Sequence, residues 1–398
     1  MESLPRGNYS NYKKKNVQHF NSSNFNNVTS LILEAIKEEV FPSAVLLVAK
    51  NGEVLFQDAF GSYFIDQDTP DNLKVNLNTV YDLGNLSSVY ATTTILMKLV
   101  AEGRISLKDQ VIRYLQSFSV LGKAHITIGD LIFHISGLDQ WRPFYEELLK
   151  ENSATHLGIL TSRGSKEYII NQINRSGLKY KTHTKQMYSD LGLILLGHII
   201  ETITGMTLDK VANKYVFNPL GLKNSSYIDL TLMKRRGILP VRELIAPTED
   251  CEWRKHQLWG EVQDDNAWAM GGIAGHSGVF SNIFDLHSWA LEMIKVYKQQ
   301  SSYLPYNILK EFWNLEEGSD ELSFAGGWEK PSKENGLLNT NLTSDAIGFN
   351  SNSGCLIWLE PSKGIEIILL SNRMCPTRNN KKIFQFRPEL INKILTVV

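Results

Sequence analysis

Several things are scarce in this chain, and each scarcity excludes a class of protein. There are three cysteines in 398 residues, Cys251, Cys355 and Cys375, widely spaced and with no CxxC. An odd, scattered set fits reduced thiols in a core or strand better than a disulfide frame or a zinc site. Neither sign of charge is in excess: 41 Lys and Arg against 42 Asp and Glu give a formal net charge of -1. No long-range field would gather a polyanion or an anionic membrane, so nucleic-acid binding is not expected. The most continuous apolar run, Leu191 to Ile200, is interrupted by His198. It is about half of the roughly 20 residues that a spanning helix needs. The first 27 residues hold a basic run at Lys13 to Lys15 but no apolar segment and no small-residue cleavage site. No secretory signal is read there, and a cytoplasmic location is the expectation. The nine histidines show no HxH, HExxH or HxxxH grouping, so neither a metal nor another cofactor is expected.

With 42% hydrophobic and 21% charged residues, the composition is that of an ordinary globular protein with a large core. The segment to about Asn27 is polar, Asn-rich and expected to be mobile. From Val28, the apolar residues Leu31, Ile32, Ala35, Ile36 and Val40 recur at helical spacing, and Pro42 closes the run. The runs AVLLVAK and EVLFQDAF flank Asn51-Gly52, the pair that best tolerates positive φ in a type I′ turn, which predicts a hairpin over 44–60. Between about 85 and 298 helical patterns dominate. One runs from about Leu86 to Glu102 and stops at Gly103, and Thr127 with Asp130 has the spacing of a capping box. Strand character returns after about Gly326, in CLIWLEP and GIEIILLSNR around a Pro-Ser-Lys-Gly turn, and a short helix is expected from Pro388 to Val398. Strands at both ends with helices between predict an α/β (α+β) fold: one antiparallel sheet built from both chain ends, flanked by helices, plus a large helical domain. The boundaries read as 1–27 for the N-terminal segment, 28–84 with 320–398 for the sheet domain, and 85–319 for the helical domain.

Six blocks in order carry a resemblance: FPSAVLLVAKNGEVLFQDAFG, YDLGNLSSVYATTTILMKLVAEGRISLKDQVIRYL, ITIGDLIFHISGL, YSDLGLILLGHIIETITG, GEVQDDNAWAMGGIAGHSGVFS and LIWLEPSKGIEIILLSNR. From about Phe41 to Leu390 the chain resembles the serine hydrolases related to class C β-lactamases, penicillin-binding proteins and esterases. The resemblance implies the β-lactamase/transpeptidase-like fold and a bacterial origin. Function has to be argued from the site.

That family's chemistry needs a Ser at a helix start and a Lys one turn later, the amine removing the hydroxyl proton as it attacks a carbonyl. Its block, approximately D-L-A-S-x-T-K, aligns with Asp82-Leu83-Gly84-Asn85-Leu86-Ser87-Ser88. Asn85 therefore stands at the nucleophile position and Ser88 at the lysine position. An amide cannot form an acyl-enzyme by this route, and a hydroxyl cannot replace the amine as base. Sliding the register to Ser87 or Ser88 does not restore the pair, since Tyr90 and Ala91 stand three residues after them. Ser10 to Lys13 and Ser176 to Lys179 are Ser-x-x-Lys matches of the frequency chance supplies. The local reading of Asn85 is a helix N-cap, compatible with a place in the wall of a former active site.

The family's Tyr-x-Asn motif has its counterpart in Tyr188-Ser189-Asp190, ahead of the apolar helix LGLILLGHII, where Ser189 or Asp190 could equally be a cap. Its Lys-Thr-Gly or His-x-Gly motif, anchored on Trp358 and Pro361, falls on Phe349-Asn350-Ser351. An aromatic ring replaces the polar group, and Ser351 in place of Gly narrows the strand edge. His276 in GGIAGHSGVFS reads as a structural histidine of a Gly-rich turn. Asp264 and Asp265, with Glu249 and Asp250, read as solvated loop carboxylates. Trp253, Trp259 and Trp268 could line a groove for a sugar or peptide, or fill space between domains.

The sequence thus predicts a pseudoenzyme with no intact catalytic residue. Its pocket, from Asn85, Ser88, Tyr188, Asp190, Phe349 and Ser351, with Asn350 a further degenerate motif position, would take a small molecule or peptide in a non-catalytic binding or regulatory role. The alternatives are an active esterase, β-lactamase or peptidase with relocated machinery, using Ser87, Ser88, Tyr188 or His276, and a scaffold whose old pocket is filled.

Overall fold

The computed structural model describes residues 23–64, 74–155, 160–313, 323–333, 335–338 and 340–398. Of the expected N-terminal segment, residues 1–22 lie outside this set, as does the Ser10 to Lys13 match.

A seven-stranded antiparallel sheet forms the frame. Its strands, in spatial order, are Glu53–Gly61, Ser43–Lys50, Ile365–Ser371, Leu356–Glu360, Ile347–Asn350, Trp328–Glu329 and Phe324–Ala325. Both chain ends therefore build one sheet, and the central pairing of Ser43–Lys50 with Ile365–Ser371 sets Leu46 opposite Leu369. The hairpin turns at Asn51 and Gly52, with φ of 53° and 82°, the left-handed pair that a type I′ turn requires.

The strand period of two divides the core. Val45, Leu47, Ala49, Ile357, Ile368 and Leu370 join the large apolar cluster shared with the helical part. Ala44, Leu46, Val48, Leu356, Trp358, Ile367 and Leu369 face the other way, onto Val28, Ile32, Ile391 and Ile394 of the helices Asn26–Lys37 and Ile383–Leu395. Burial on both faces explains why the central strands read as unbroken apolar runs rather than alternating ones. The last helix begins five residues before the expected start and carries Pro388 inside it. Tertiary burial of Ile383, Phe386 and Leu390 holds the helix through a residue that sequence reading takes as its start.

The stretch after Asp82 is helical without interruption in direction: a tight turn at Gly84–Leu86, a wider π-type turn over Ser88–Thr93, then the α-helix Thr94–Ala101, ending before Gly103 at φ 67°. The Thr127 hydroxyl accepts from the Asp130 N–H at 3.1 Å, and Asp130 Oδ2 accepts from the Thr127 N–H at 2.8 Å, completing the capping box. Among the described residues no single helix is long and apolar enough to cross a membrane. Asp190–Thr204 and Leu208–Phe217 reach that length and composition only as a pair bent by 76°.

Candidate functional site

A cavity of about 720 Å³ opens where the sheet edge meets the helical part. Asn85, Tyr188, Asp190, Asp264, Phe349 and Arg387 are among its walls. A second, of about 800 Å³, runs past Leu107, His125, Asp130 and His183 and contains none of the predicted site residues.

The backbone entering the site is fixed by Asp82. Its carboxylate accepts from the Gly84 N–H and the Gln263 N–H, each at 2.8 Å. Burial raises its pKa to about 6 in spite of those two donors. Gly84 sits at φ 55°, and a Cβ there would stand 2.7 Å from Ser351 Oγ, so the glycine allows helix start and strand end to touch.

Asn85 comes next and does not cap the helix, contrary to the expectation, since its side chain points across the site. Its Oδ1 accepts from the Asn352 N–H and from Ser351 Oγ, both at 2.9 Å, while its Nδ2 donates to Tyr188 Oη at 3.3 Å. The Asn352 N–H can only donate, which fixes which end of the amide faces the strand. Asp190 follows two residues on, near enough for its charge to raise the Tyr188 pKa. One chain of hydrogen bonds therefore runs from the strand end at Ser351 and Asn352, through Asn85, to Tyr188.

Ser88 and Ser351 belong to this neighbourhood but not to the cavity wall, which corrects their assignment to the pocket. Both are fully buried. Ser88 Oγ donates to the Asn85 carbonyl at 2.7 Å, as a small hydroxyl in a tight helical turn does to satisfy itself. Ser351 Oγ lies 2.7 Å from the Leu83 carbonyl and 3.0 Å from Ser353 Oγ. Ser87 is likewise buried, accepting from the Val279 N–H at 3.0 Å. Ser176 and Lys179 do not face each other as a pair, because Lys179 Nζ is on Asp139 at 3.2 Å.

On the helical wall Ser189 is the cap of Asp190–Thr204, its Oγ accepting from the Gly192 N–H at 3.3 Å, so Asp190 is free to face the cavity. Burial raises the Asp190 pKa to about 6, an effect that His276 partly offsets. Asp190 Oδ1 is shielded and has no partner. His276 Nε2 lies 2.8 Å from Asp264 Oδ1, so the histidine of the Gly-rich turn is the buried half of an ion pair whose carboxylate reaches the cavity. Burial opposes charge on both members, but their attraction prevails and holds Asp264 below and His276 above their ordinary values. Behind Tyr188, burial drives the His134 pKa down to about 3. That ring is neutral, accepts from the Ser189 N–H at 3.2 Å and packs 4.8 Å from the Tyr188 ring. Tyr188 itself is held well above its usual value by burial and by the Asp190 charge.

On the sheet wall Phe349 is buried, its ring 6.2 Å from that of Tyr188. Asn350 faces Glu329, which accepts from its N–H at 3.1 Å and its Nδ2 at 2.8 Å. Arg387, from the last helix, donates to the carbonyls of Ser351 and Cys355, and burial lowers its pKa to about 10. Glu329, Arg387 and His134 were not foreseen. No short-range signal marks them, because the partners that bring them to the site, Asn350, Ser351 and Ser189, lie 21, 36 and 55 positions away along the chain.

Asp265 and Glu249 are corrected too. They are buried rather than solvated: Arg378 bridges them, at 2.6 Å to Glu249 and 2.7 Å to Asp265, and Arg254 adds a 2.8 Å contact to Asp265. Trp253 packs between Tyr145 and Trp268, and Trp259 against Tyr63 and Phe64, so these indoles fill space. All three cysteines are buried and free. Among the described residues no group of three or more His, Cys, Asp or Glu converges where a metal ion could sit.

Comparison with known proteins agrees with this architecture. Residues 28–389 match the family described as Beta-lactamase. A putative D-alanyl-D-alanine carboxypeptidase of Salmonella typhi is 30% identical over 369 residues, covering 86% of this chain and 81% of its own. The solved structure of a class C beta lactamase superposes with a TM-score of 0.69 at 17% identity, covering 96% of this chain and 100% of that one. The octameric penicillin-binding protein homologue from Pyrococcus abyssi gives 0.64 at 18% identity, covering 93% and 76%. At these identities the two structures speak for the fold.

Proposed function

The chain belongs to the Beta-lactamase family, and we propose that within it this protein binds a ligand in the old active-site cleft without acyl transfer. The observation that carries this reading is the Asn85 amide. It stands at the nucleophile position, and both of its ends are engaged. Acyl transfer needs a hydroxyl or thiol with a base in reach, and donors free to meet the developing oxyanion. Here the serine hydroxyls around Asn85, on Ser87, Ser88 and Ser351, are buried and bonded to backbone or to the amide itself rather than to any base. The Asn352 N–H at the strand end is already given to Asn85 Oδ1. A cavity of about 720 Å³ beside these residues supports binding over a filled scaffold. The family's ligands point to a small molecule or peptide. Three free, buried cysteines accord with a reducing, cytoplasmic setting.

The rival reading is an active hydrolase with relocated machinery, and what favours it is the name carried by the Salmonella relatives. The test is intact mass after exposure to a fluorophosphonate probe and, separately, to a penicillin, beside the double variant Asn85→Ser with Ser88→Lys. The binding reading expects no adduct on the native chain and labelling of the double variant. A stoichiometric adduct on the native chain would overturn it. The relocated mechanism further requires that Ser88→Ala or Tyr188→Phe abolish turnover of a p-nitrophenyl ester. A thermal-shift screen of fragments separates an open pocket from a filled one, since only the former gives ligand-dependent stabilisation.

A further inference from the structure

Away from the cleft, one excursion of the chain leaves its apolar side chains in water. The short helix Leu230–Arg236 has no buried residue, and the chain then turns at Gly237 and runs on through Ile238, Leu239, Pro240 and Val241 to Leu244. Leu232, Ile238, Leu239, Val241 and Leu244 are 38 to 75% exposed, five of the eleven large exposed aliphatic and aromatic side chains of the described residues, gathered within thirteen positions. Scattered single exposures are ordinary, but a contiguous set marks a contact surface.

The charges decide what the surface would contact. Lys234, Arg235, Arg236 and Arg242 interleave with the aliphatics, and Glu243 is the one carboxylate between residues 230 and 244. Lys234, Arg235 and Arg236 are all exposed. Arg242 lies 5.9 Å from the Trp259 ring, which anchors the end of the excursion to the body of the protein. Since the whole chain carries a formal net charge of -1, this cationic cluster is a local feature and not a share of a general excess.

We infer that the excursion over 230–244 is a docking surface for an anionic lipid bilayer, its aliphatic side chains entering the interface and its four cations meeting the headgroups. Protruding aliphatics flanked by Lys and Arg suit a bilayer, which accepts them without a shaped complement, and each cation near an anionic leaflet adds to the attraction. A second copy of the chain suits the surface less. A two-fold contact through it would gather the cations of both copies in one interface, with Glu243 the one carboxylate that each copy's 230–244 segment brings. The attachment is peripheral and independent of what the cleft binds.

Flotation of the full chain with vesicles tests this. Vesicles of phosphatidylcholine containing phosphatidylglycerol should carry the protein up at low salt and release it as salt rises. Vesicles of phosphatidylcholine alone should carry at least about tenfold less. Arg235→Glu with Arg236→Glu, and separately Leu239→Ser with Val241→Ser, should each lower the bound fraction at least about tenfold. Lys150→Glu with Arg175→Glu, which changes as much charge elsewhere on the surface, should leave binding unchanged. Equal flotation with both vesicle types, no flotation with either, or loss of binding by the distant pair to the same extent would overturn the inference. So would self-association in solution, seen by light scattering, that the Leu239 and Val241 substitutions abolish while vesicles are ignored.

Discussion

Asn85 and Tyr188 are 103 positions apart in the chain, and the Asn85 side-chain amide donates to the Tyr188 hydroxyl at 3.3 Å. This contact joins the helix start after Asp82 to the helical wall, while the other end of the same amide holds the strand end at Ser351 and Asn352. An amide suits this place because it donates at one end and accepts at the other. A serine hydroxyl is too short to span both.

Removing that bridge should be costly. Asn85→Ala leaves the Asn352 N–H, the Ser351 hydroxyl and the Tyr188 hydroxyl each one partner short, and should lower unfolding free energy by about 1–3 kcal/mol. Urea unfolding measures it. A loss below about 0.5 kcal/mol would mean that water replaces the amide at no cost, and the bridge would then be a contact without structural weight.

Asp190 should respond to pH in a direction opposite to most carboxylates. Its folded pKa is raised from 3.8 to about 6, so the folded state holds the proton more tightly, and stability linked to this group falls as pH rises from about 4 through 6. Asp190→Asn, which keeps the shape without the charge, should therefore raise stability by about 1–2 kcal/mol at pH 7.5. The gain should shrink toward zero near pH 4. A constant gain across that range would show that charge burial is not its source.

The two members of the Asp264 and His276 pair carry signs opposite to each other. His276 is raised, so its contribution is complete below its unfolded pKa near 6.5 and is lost as pH climbs through the folded value. Asp264 is lowered, so its contribution is present above about 4 and disappears as pH drops through its folded value. His276→Gln should remove the decline on the alkaline side while costing about 1–3 kcal/mol at neutral pH, because Asp264 loses its charged partner and keeps only the Ala267 N–H. Thermal midpoints measured from pH 5 to pH 9 for both proteins supply the comparison.

Arg378 is the counter-charge of two buried carboxylates, Glu249 and Asp265. Arg378→Ala should destabilise by about 2–4 kcal/mol, and Arg378→Lys should recover less than half, since one ammonium cannot make the paired contacts of a planar guanidinium. Chemical denaturation of the two variants decides this. Full rescue by lysine would reduce the network to simple charge neutralisation.

Much of the frame was legible in the chain. The Asn51-Gly52 turn, the apolar runs of the central strands and the Thr127 to Asp130 capping box are local devices, and each has the geometry its residues require. The site was legible in part. Asn85, Tyr188, Asp190, Phe349 and Asn350 do gather at one cavity. The alignment of motifs could not say that Ser88 and Ser351 turn inward, because the direction of a small hydroxyl depends on which backbone carbonyl happens to lie beside it.

What the sequence by itself determined is the family and the two-ended sheet, both properties of residue identity and order. What only the tertiary structure decided is the set of partners across long separations: Asn85 with Asn352 and Tyr188, His276 with Asp264, Glu249 and Asp265 with Arg378. The reason is physical. Local signals come from backbone preferences and short-range periodicity, which neighbouring residues express on their own. The pairing of buried polar groups is set by the desolvation each suffers and by which complementary group the packing of distant elements brings within about 3 Å.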